Sequence, residues 1–138
     1  MTTYTETFRV RYAETDKMGI AHHSNYFIWF EMGRSDFCRD AGFPYTEWEA
    51  HGIYTPLVEV ACRYKSPLLY DELVTMEVSV KELTAITITF AYRLYHADGK
   101  LVCEGSTKHA FTNPEGHLLR GKNEYLDKLK KYTTESLL

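Results

Sequence analysis

Tyr12-Ala13-Glu14-Thr15-Asp16-Lys17-Met18-Gly19-Ile20-Ala21-His22-His23-Ser24-Asn25-Tyr26 decides how this chain reads. Leading into it, Thr7 to Tyr12 sets Phe8 and Val10 against Arg9 and Arg11, the period-two pattern of a strand. Inside it, a glycine-containing loop carries Asp16, and a helix start signal follows seven to nine residues later. An acid near a helix N-terminus can face a carbonyl carbon while helix amides polarise the carbonyl oxygen. That arrangement suits acyl transfer.

The helix expected next runs over Asn25 to Ala41, with Ser24 or Asn25 as its cap. Tyr26, Phe30, Gly33, Phe37 and Ala41 recur on one face, and Phe27, Ile28, Trp29 and Met32 add apolar surface around it. Gly42 and Pro44 stop it. Thr46 to His51 reads as one short helical turn, after which the period becomes two. Strands are expected over Val58 to Tyr64, Leu73 to Lys81, Ala85 to His96 and Leu101 to Thr112, with Asp98-Gly99 as a hairpin turn. Asn123 to Lys131 reads as a C-terminal helix packing through Tyr125, Leu126 and Leu129. A helix this apolar needs broad cover, and an antiparallel sheet wrapped around it supplies that cover in an α+β architecture.

The 138 residues fit one domain, taken as 1–138. A hydrophobic share of 44% supports a core, and the charged 25% predicts a soluble surface. No apolar run approaches the roughly 20 residues that span a bilayer. The N-terminal residues lack the basic-then-apolar pattern of a secretory signal, so a cytoplasmic location without membrane insertion is expected. Cys38, Cys62 and Cys103 are odd in number and unpaired in spacing, arguing against a disulfide framework or a zinc site. The net charge of −3 argues against a nucleic-acid binder.

The string Tyr12-x-x-Thr15-Asp16-x-x-Gly19-x-x-x-His23-x-Asn25-Tyr26-x-x-Trp29-Phe30-Glu31 resembles the 4-hydroxybenzoyl-CoA thioesterase-like branch of the hotdog fold. It is similar to the bacterial acyl-CoA thioesterases associated with the Tol–Pal system. Tyr64-x-x-Pro67-x-x-x-Asp71-x-Leu73 resembles the same family's second segment. Lys17-Met18 and the polar His22-His23-Ser24 depart from relatives with small or apolar residues there, which bears on acyl preference. The resemblance implies hydrolysis of short- to medium-chain or aromatic acyl-CoA without a metal or other cofactor. It also implies a homodimer as the smallest unit, a homotetramer of two such dimers, and active sites between subunits.

Under that resemblance Asp16 is the catalytic carboxylate, attacking the thioester or activating water, and the backbone amide of His23 is the electrophilic contact. Gly19 lets backbone approach the substrate. Asn25 and Tyr26 belong to the binding region as cap and anchor, and Tyr64 and Pro67 shape the strand end beside the CoA channel. Glu31 is a second candidate base. Arg63, Lys65, Arg93, Lys108, Arg120 and Lys122 are candidates for the CoA phosphates. Two other functions fit the same residues: hydrolysis of acyl groups on acyl carrier protein, and a non-catalytic acyl- or partner-binding module.

Overall fold

Two periodicities build the architecture. The structure is a computed structural model that describes residues 3–119 and 124–134. Five strands form one antiparallel sheet: β1 (Tyr4–Arg9), β2 (Leu57–Tyr64), β3 (Leu73–Leu83), β4 (Thr87–His96) and β5 (Leu101–Ala110). Their spatial order is β1-β3-β4-β5-β2. The long helix α1 (Ser24–Asp40) lies on one face, joined there by α2 (Tyr45–Ala50) and α3 (Glu124–Thr134). This is the hotdog arrangement of sheet around helix.

The strand alternation explains which face is covered. Val74, Met76, Val78 and Val80 of β3 and Ile88, Phe90, Tyr92 and Leu94 of β4 are buried under the helices. From α1, Tyr26, Trp29, Phe30, Gly33, Phe37 and Cys38 complete the core. The expected face of α1 is thus correct except that Trp29 and Cys38 join it and Ala41 is only half-buried. Phe30 stacks on Tyr92 at a centroid distance of 4.3 Å. Tyr125, Leu126 and Leu129 of α3 are buried as expected, and Trp48 stacks on Tyr125 at 4.8 Å.

Two expectations need correction. The first strand lies at Tyr4–Arg9 rather than reaching Tyr12, because Val10 exchanges backbone bonds with Glu72 and Asp71 and the chain then tightens into a 3₁₀ turn, Tyr12–Glu14. The N-cap of α1 is His23, not Ser24 or Asn25, and the His23 side chain makes no cap bond. Arg120, Lys122 and the start expected for the last helix at Asn123 lie outside the described residues. No helix among the described residues is long and apolar enough to cross a membrane.

Candidate active site

The loop between β1 and α1 is fixed from beneath by one carboxylate. Glu14 is 4% exposed. It accepts from the Arg11 backbone N–H at 2.6 Å, from Arg11 Nη2 at 3.1 Å and from Trp29 Nε1 at 2.9 Å. Burial would raise its pKa, but these donors outweigh burial and hold the carboxyl below its ordinary value. Its carbonyl oxygen accepts from the His22 amide at 2.9 Å and from Asn25 Nδ2 at 2.8 Å. Loop and helix start are therefore tied to the same residue.

Above that anchor the chain makes a tight excursion. Thr15 bridges Ala21, the Asp16 amide donates to the Ile20 carbonyl at 2.9 Å, and the Gly19 amide donates back to the Asp16 carbonyl at 2.9 Å. Gly19 has φ of +83°, the left-handed region where a Cβ is disfavoured. The half-buried Asp16 accepts from the Met18 amide through Oδ1 at 2.8 Å, and its Oδ2 has no partner among the described residues. The carboxylate is thus oriented with one oxygen left open.

At the helix start, the Ser24 amide approaches His22 Nδ1, the Asn25 amide donates to the His22 carbonyl and the Tyr26 amide to the His23 carbonyl. The amide of His23 has no acceptor among the described residues. A bare N–H at the positive end of a 17-residue helix is a ready site for developing negative charge. The His23 ring stacks near that of His22, with centroids 4.1 Å apart.

Of the residues expected in the binding region, Tyr64 reaches over this corner, its hydroxyl donating to the His23 carbonyl at 3.5 Å. Tyr26 lies beneath it, 3% exposed, in edge contact with Tyr64 and packed on Trp29. It supports the site from the core and offers no surface to a ligand in this chain. Asn25 directs its side-chain amide at two loop carbonyls, those of Glu14 and His22, so it is likewise a positioning residue. Pro67 is exposed, in the segment that braces the loop through the Ala21 amide and the Leu68 carbonyl at 2.8 Å.

Other candidates fall elsewhere. Glu31 lies seven residues along α1 from Ser24, a rise of about 10 Å. It lines a cavity of about 110 Å³ with Arg34, Ser35, Tyr45 and Thr55, away from Asp16. Arg63, Arg93 and Lys108 project from the sheet face turned away from α1, not toward the loop. Sequence reasoning missed Glu14, whose loop position gave no burial signal; the one available hint was a glutamate three residues after Arg11, the spacing of a capping box.

The family follows from comparison with known proteins. The thioesterase-like superfamily pattern matches residues 10–129. The chain is 38% identical over 122 residues to a "Putative esterase" of Aquifex aeolicus, spanning 88% of this chain and 94% of that protein. It is 35% identical over 106 residues to the "Putative acyl-CoA thioesterase YneP" of Bacillus subtilis, spanning 77% of each. The crystal structure of the DHNA-CoA thioesterase from Staphylococcus aureus superposes with a TM-score of 0.90 at 29% identity, covering 100% of this chain and 93% of that one. The chain belongs to the thioesterase-like superfamily, a hotdog family of thioester hydrolases.

Proposed function

We propose that the chain hydrolyses acyl-CoA to a free acid and coenzyme A, with Asp16 and the His23 amide as its chemical groups. The single observation that carries this reading is the unpartnered His23 N–H at the helix start, which Glu14 ties to the loop whose Asp16 carboxylate keeps Oδ2 open. The substrate carbonyl oxygen accepts from that N–H, which steadies the oxyanion as the carbon becomes tetrahedral. The ionised Asp16 either attacks that carbon or takes the proton of the water that does. In both routes the C–S bond then breaks, the thiolate of CoA leaves and is protonated, and water supplies the acid's new oxygen. Names of the relatives in Bacillus subtilis and Staphylococcus aureus support CoA as the carrier. A CoA substrate also supports a cytoplasmic site of action. The narrower placement in the Tol–Pal-associated branch rests on the two motif segments alone.

We further infer a homodimer through β2. Among the described residues that strand pairs only with β5, so its outer edge presents backbone groups for a further strand. Val58 is 58% exposed and Val60 and Tyr64 share its side of the strand, while Ile28 on the neighbouring α1 is 56% exposed. A second copy pairing along this edge covers that apolar strip and closes a channel beside the helix start.

The test is a thiol-release screen over aliphatic and aromatic acyl-CoAs, with one acyl group also presented on acyl carrier protein, run beside Asp16→Asn. The variant keeps the shape and loses the basic oxygen, so turnover is expected to fall about 10²-fold with the melting temperature retained. Near-normal turnover by the purified variant removes the assignment. Tight acyl-CoA binding without thiol release by the native chain turns the reading to a binding module.

A further inference from the structure

A second polar cluster stands at the end of the sheet, apart from Asp16. Ser66, Glu72 and His96 form it, each half-buried. Ser66 Oγ lies 2.7 Å from His96 Nε2, and His96 Nδ1 lies 2.8 Å from Glu72 Oε1. Glu72 Oε2 accepts from the Leu69 amide at 2.6 Å. Both carboxyl oxygens face donors, so Nδ1 carries the proton toward Glu72 and Nε2 meets the Ser66 hydroxyl. Serine, histidine and acid in that order can make a nucleophile with its base. Here the residue after Ser66 is Pro67, which has no N–H to offer an oxyanion. The geometry favours holding over attack.

One side of the cluster is fixed to the sheet. His96 closes β4, its amide donating to the Lys100 carbonyl and its carbonyl accepting from the Gly99 amide, both at 2.9 Å. The Lys65 and Ser66 amides donate to the Val102 carbonyl of β5 at 2.8 and 3.1 Å. The other side is the turn from Leu69 to Glu72. It contains Asp71 at φ of +68°, a left-handed conformation that is costly for a residue with a Cβ. Such a turn persists where its surroundings impose it. Val10 and the Arg9 side chain hold its backbone from the β1 side. Glu72 ties it to the sheet centre, with one oxygen on Leu69 and the other on His96. The catalytic loop leans on this turn. The Leu68 carbonyl accepts from the Ala21 amide at 2.8 Å, Leu69 bridges Ile20, and the Ile20 carbonyl accepts from the Asp16 amide at 2.9 Å. The contacts therefore run unbroken from His96 through Glu72, Leu69 and Ile20 to Asp16.

We propose that His96 is a positioning residue for thioester hydrolysis: through Glu72 it sets the turn from Leu69 to Glu72, and through that turn it aims the Asp16 carboxylate. This rests on the reading of Asp16 as the reacting group. Ser66 holds the far side of the imidazole and so keeps the ring turned toward Glu72.

Steady-state kinetics on His96→Ala and Ser66→Ala, each alone and combined with Asp16→Asn, test it. His96→Ala is expected to lower kcat and kcat/KM together by roughly 10-fold or more, the scale of a misplaced reacting group. His96→Gln can donate to Glu72 and accept from Ser66 at once, so it is expected to regain most of that loss. In the Asp16→Asn background His96→Ala is expected to change the residual turnover by less than about 2-fold, because no reacting carboxylate is left to aim. A merely structural role would lower turnover by the same factor in both backgrounds. Deuterium exchange at the Ala21 and Asp16 amides is expected to quicken in His96→Ala while the central strands stay protected. Ser66→Ala keeps the imidazole and removes one bond, so it carries the test if His96→Ala does not fold. It is expected to lower kcat about 3-fold, the weaker end of one net hydrogen bond, and again only where Asp16 is present. The proposal is overturned if folded His96→Ala keeps native kcat, if its loss lies in KM alone, or if the loss is equal with and without Asp16. Those outcomes leave Asp16 as the reacting group, whereas native turnover by Asp16→Asn alone removes both readings.

Discussion

The indole N–H of Trp29 donates to the buried carboxylate of Glu14 at 2.9 Å, joining the second turn of α1 to the loop that carries Asp16. Replacing Glu14 by alanine leaves that indole and the Arg11 amide without their acceptor, both near the base of the loop. Loss of stability by about 1–3 kcal/mol is expected, the cost of stranding buried donors. Trp29→Phe keeps most of the packing and removes one of the two donors to Glu14 Oε2, which Arg11 Nη2 still reaches, so it should cost less. If Glu14 positions Asp16, kcat falls in Glu14→Ala more than KM changes, and Glu14→Gln restores part of it, because its one amide oxygen still accepts from either the Arg11 amide or the Trp29 indole but not from both. Chemical denaturation and steady-state kinetics on the three variants check this. Native kcat in a folded Glu14→Ala protein would show that the loop holds its shape without the anchor.

The His23 amide can be removed without removing any bond the protein makes for itself. His23 has φ of −57°, close to the value proline imposes. His23→Pro is therefore expected to fold, yet to lose turnover by about 10²–10³-fold, the scale of a missing oxyanion donor. His23→Ala keeps the N–H and should retain turnover within about 3-fold, because the helix-start amide and not the imidazole supplies the contact. A His23→Pro enzyme as active as His23→Ala places the electrophile elsewhere. Circular dichroism on both proteins separates lost chemistry from lost structure.

Gly105 marks where α1 presses hardest on the sheet. A Cβ built there would stand 2.4 and 2.6 Å from two atoms of the Phe30 ring and 2.9 Å from the Ala61 carbonyl oxygen. Phe30 is itself held against Tyr92, so it has little room to yield. Gly105→Ala should cost about 2 kcal/mol of stability through overpacking. Gly33 on α1 offers a contrast. Its added Cβ would meet the Met76 Cε at 2.7 Å and Val78 Cγ2 at 2.9 Å. The thioether end can swing aside, and alanine gains about 1 kcal/mol over glycine within a helix. Urea midpoints should therefore rank Gly33→Ala well above Gly105→Ala; the reverse order would mean that the Met76 side cannot adjust.

The parts legible in the sequence are those with a period. Val74 to Val80 alternates and is buried on one side, and Tyr26, Phe30, Gly33 and Phe37 share a helical face that the structure buries. Asp98-Gly99 makes the turn its composition predicts, with Gly99 at φ of +91°. Ile86 continues the alternation of β4 in sequence yet lies exposed beyond the strand's first residue, because a period does not say where pairing ends. Aperiodic chain was harder to read. Ser24 and Asn25 have capping chemistry, but Asn25 turns its amide to the Glu14 and His22 carbonyls, which only the folded loop brings within reach. Asp16 was legible through a motif, whereas its orientation depends on the Met18 amide and the Glu14 anchor beneath.

Two titrating groups outside the loop should act on stability in opposite directions. His109 is 2% exposed, and burial followed by the nearby Arg34 lowers its pKa to about 4. Its Nδ1 lies 3.0 Å from the Thr55 carbonyl, and its Nε2 lies 2.9 Å from Thr107 Oγ1 and 3.3 Å from Arg34 Nη1. The Thr55 carbonyl requires a proton on Nδ1, leaving Nε2 as the acceptor, so the ring is neutral. Between pH 6.5 and about 4 the unfolded chain binds a proton at this residue that the folded chain refuses, so stability falls as the pH falls. Glu6 behaves oppositely. Burial, then the facing Asp36, raises its pKa to about 7. Between about pH 4.5 and 7 the folded state holds the extra proton, so this group's contribution falls as the pH rises. The two slopes oppose each other between about pH 4.5 and 6.5, flattening the native stability profile there. Glu6→Gln removes one slope, and stability should then rise with pH across that window, by on the order of 1–2 kcal/mol. His109→Asn should show the reverse trend. Denaturation at pH 5 and pH 6.5 reads both, and parallel profiles for the two variants would sink the assignment.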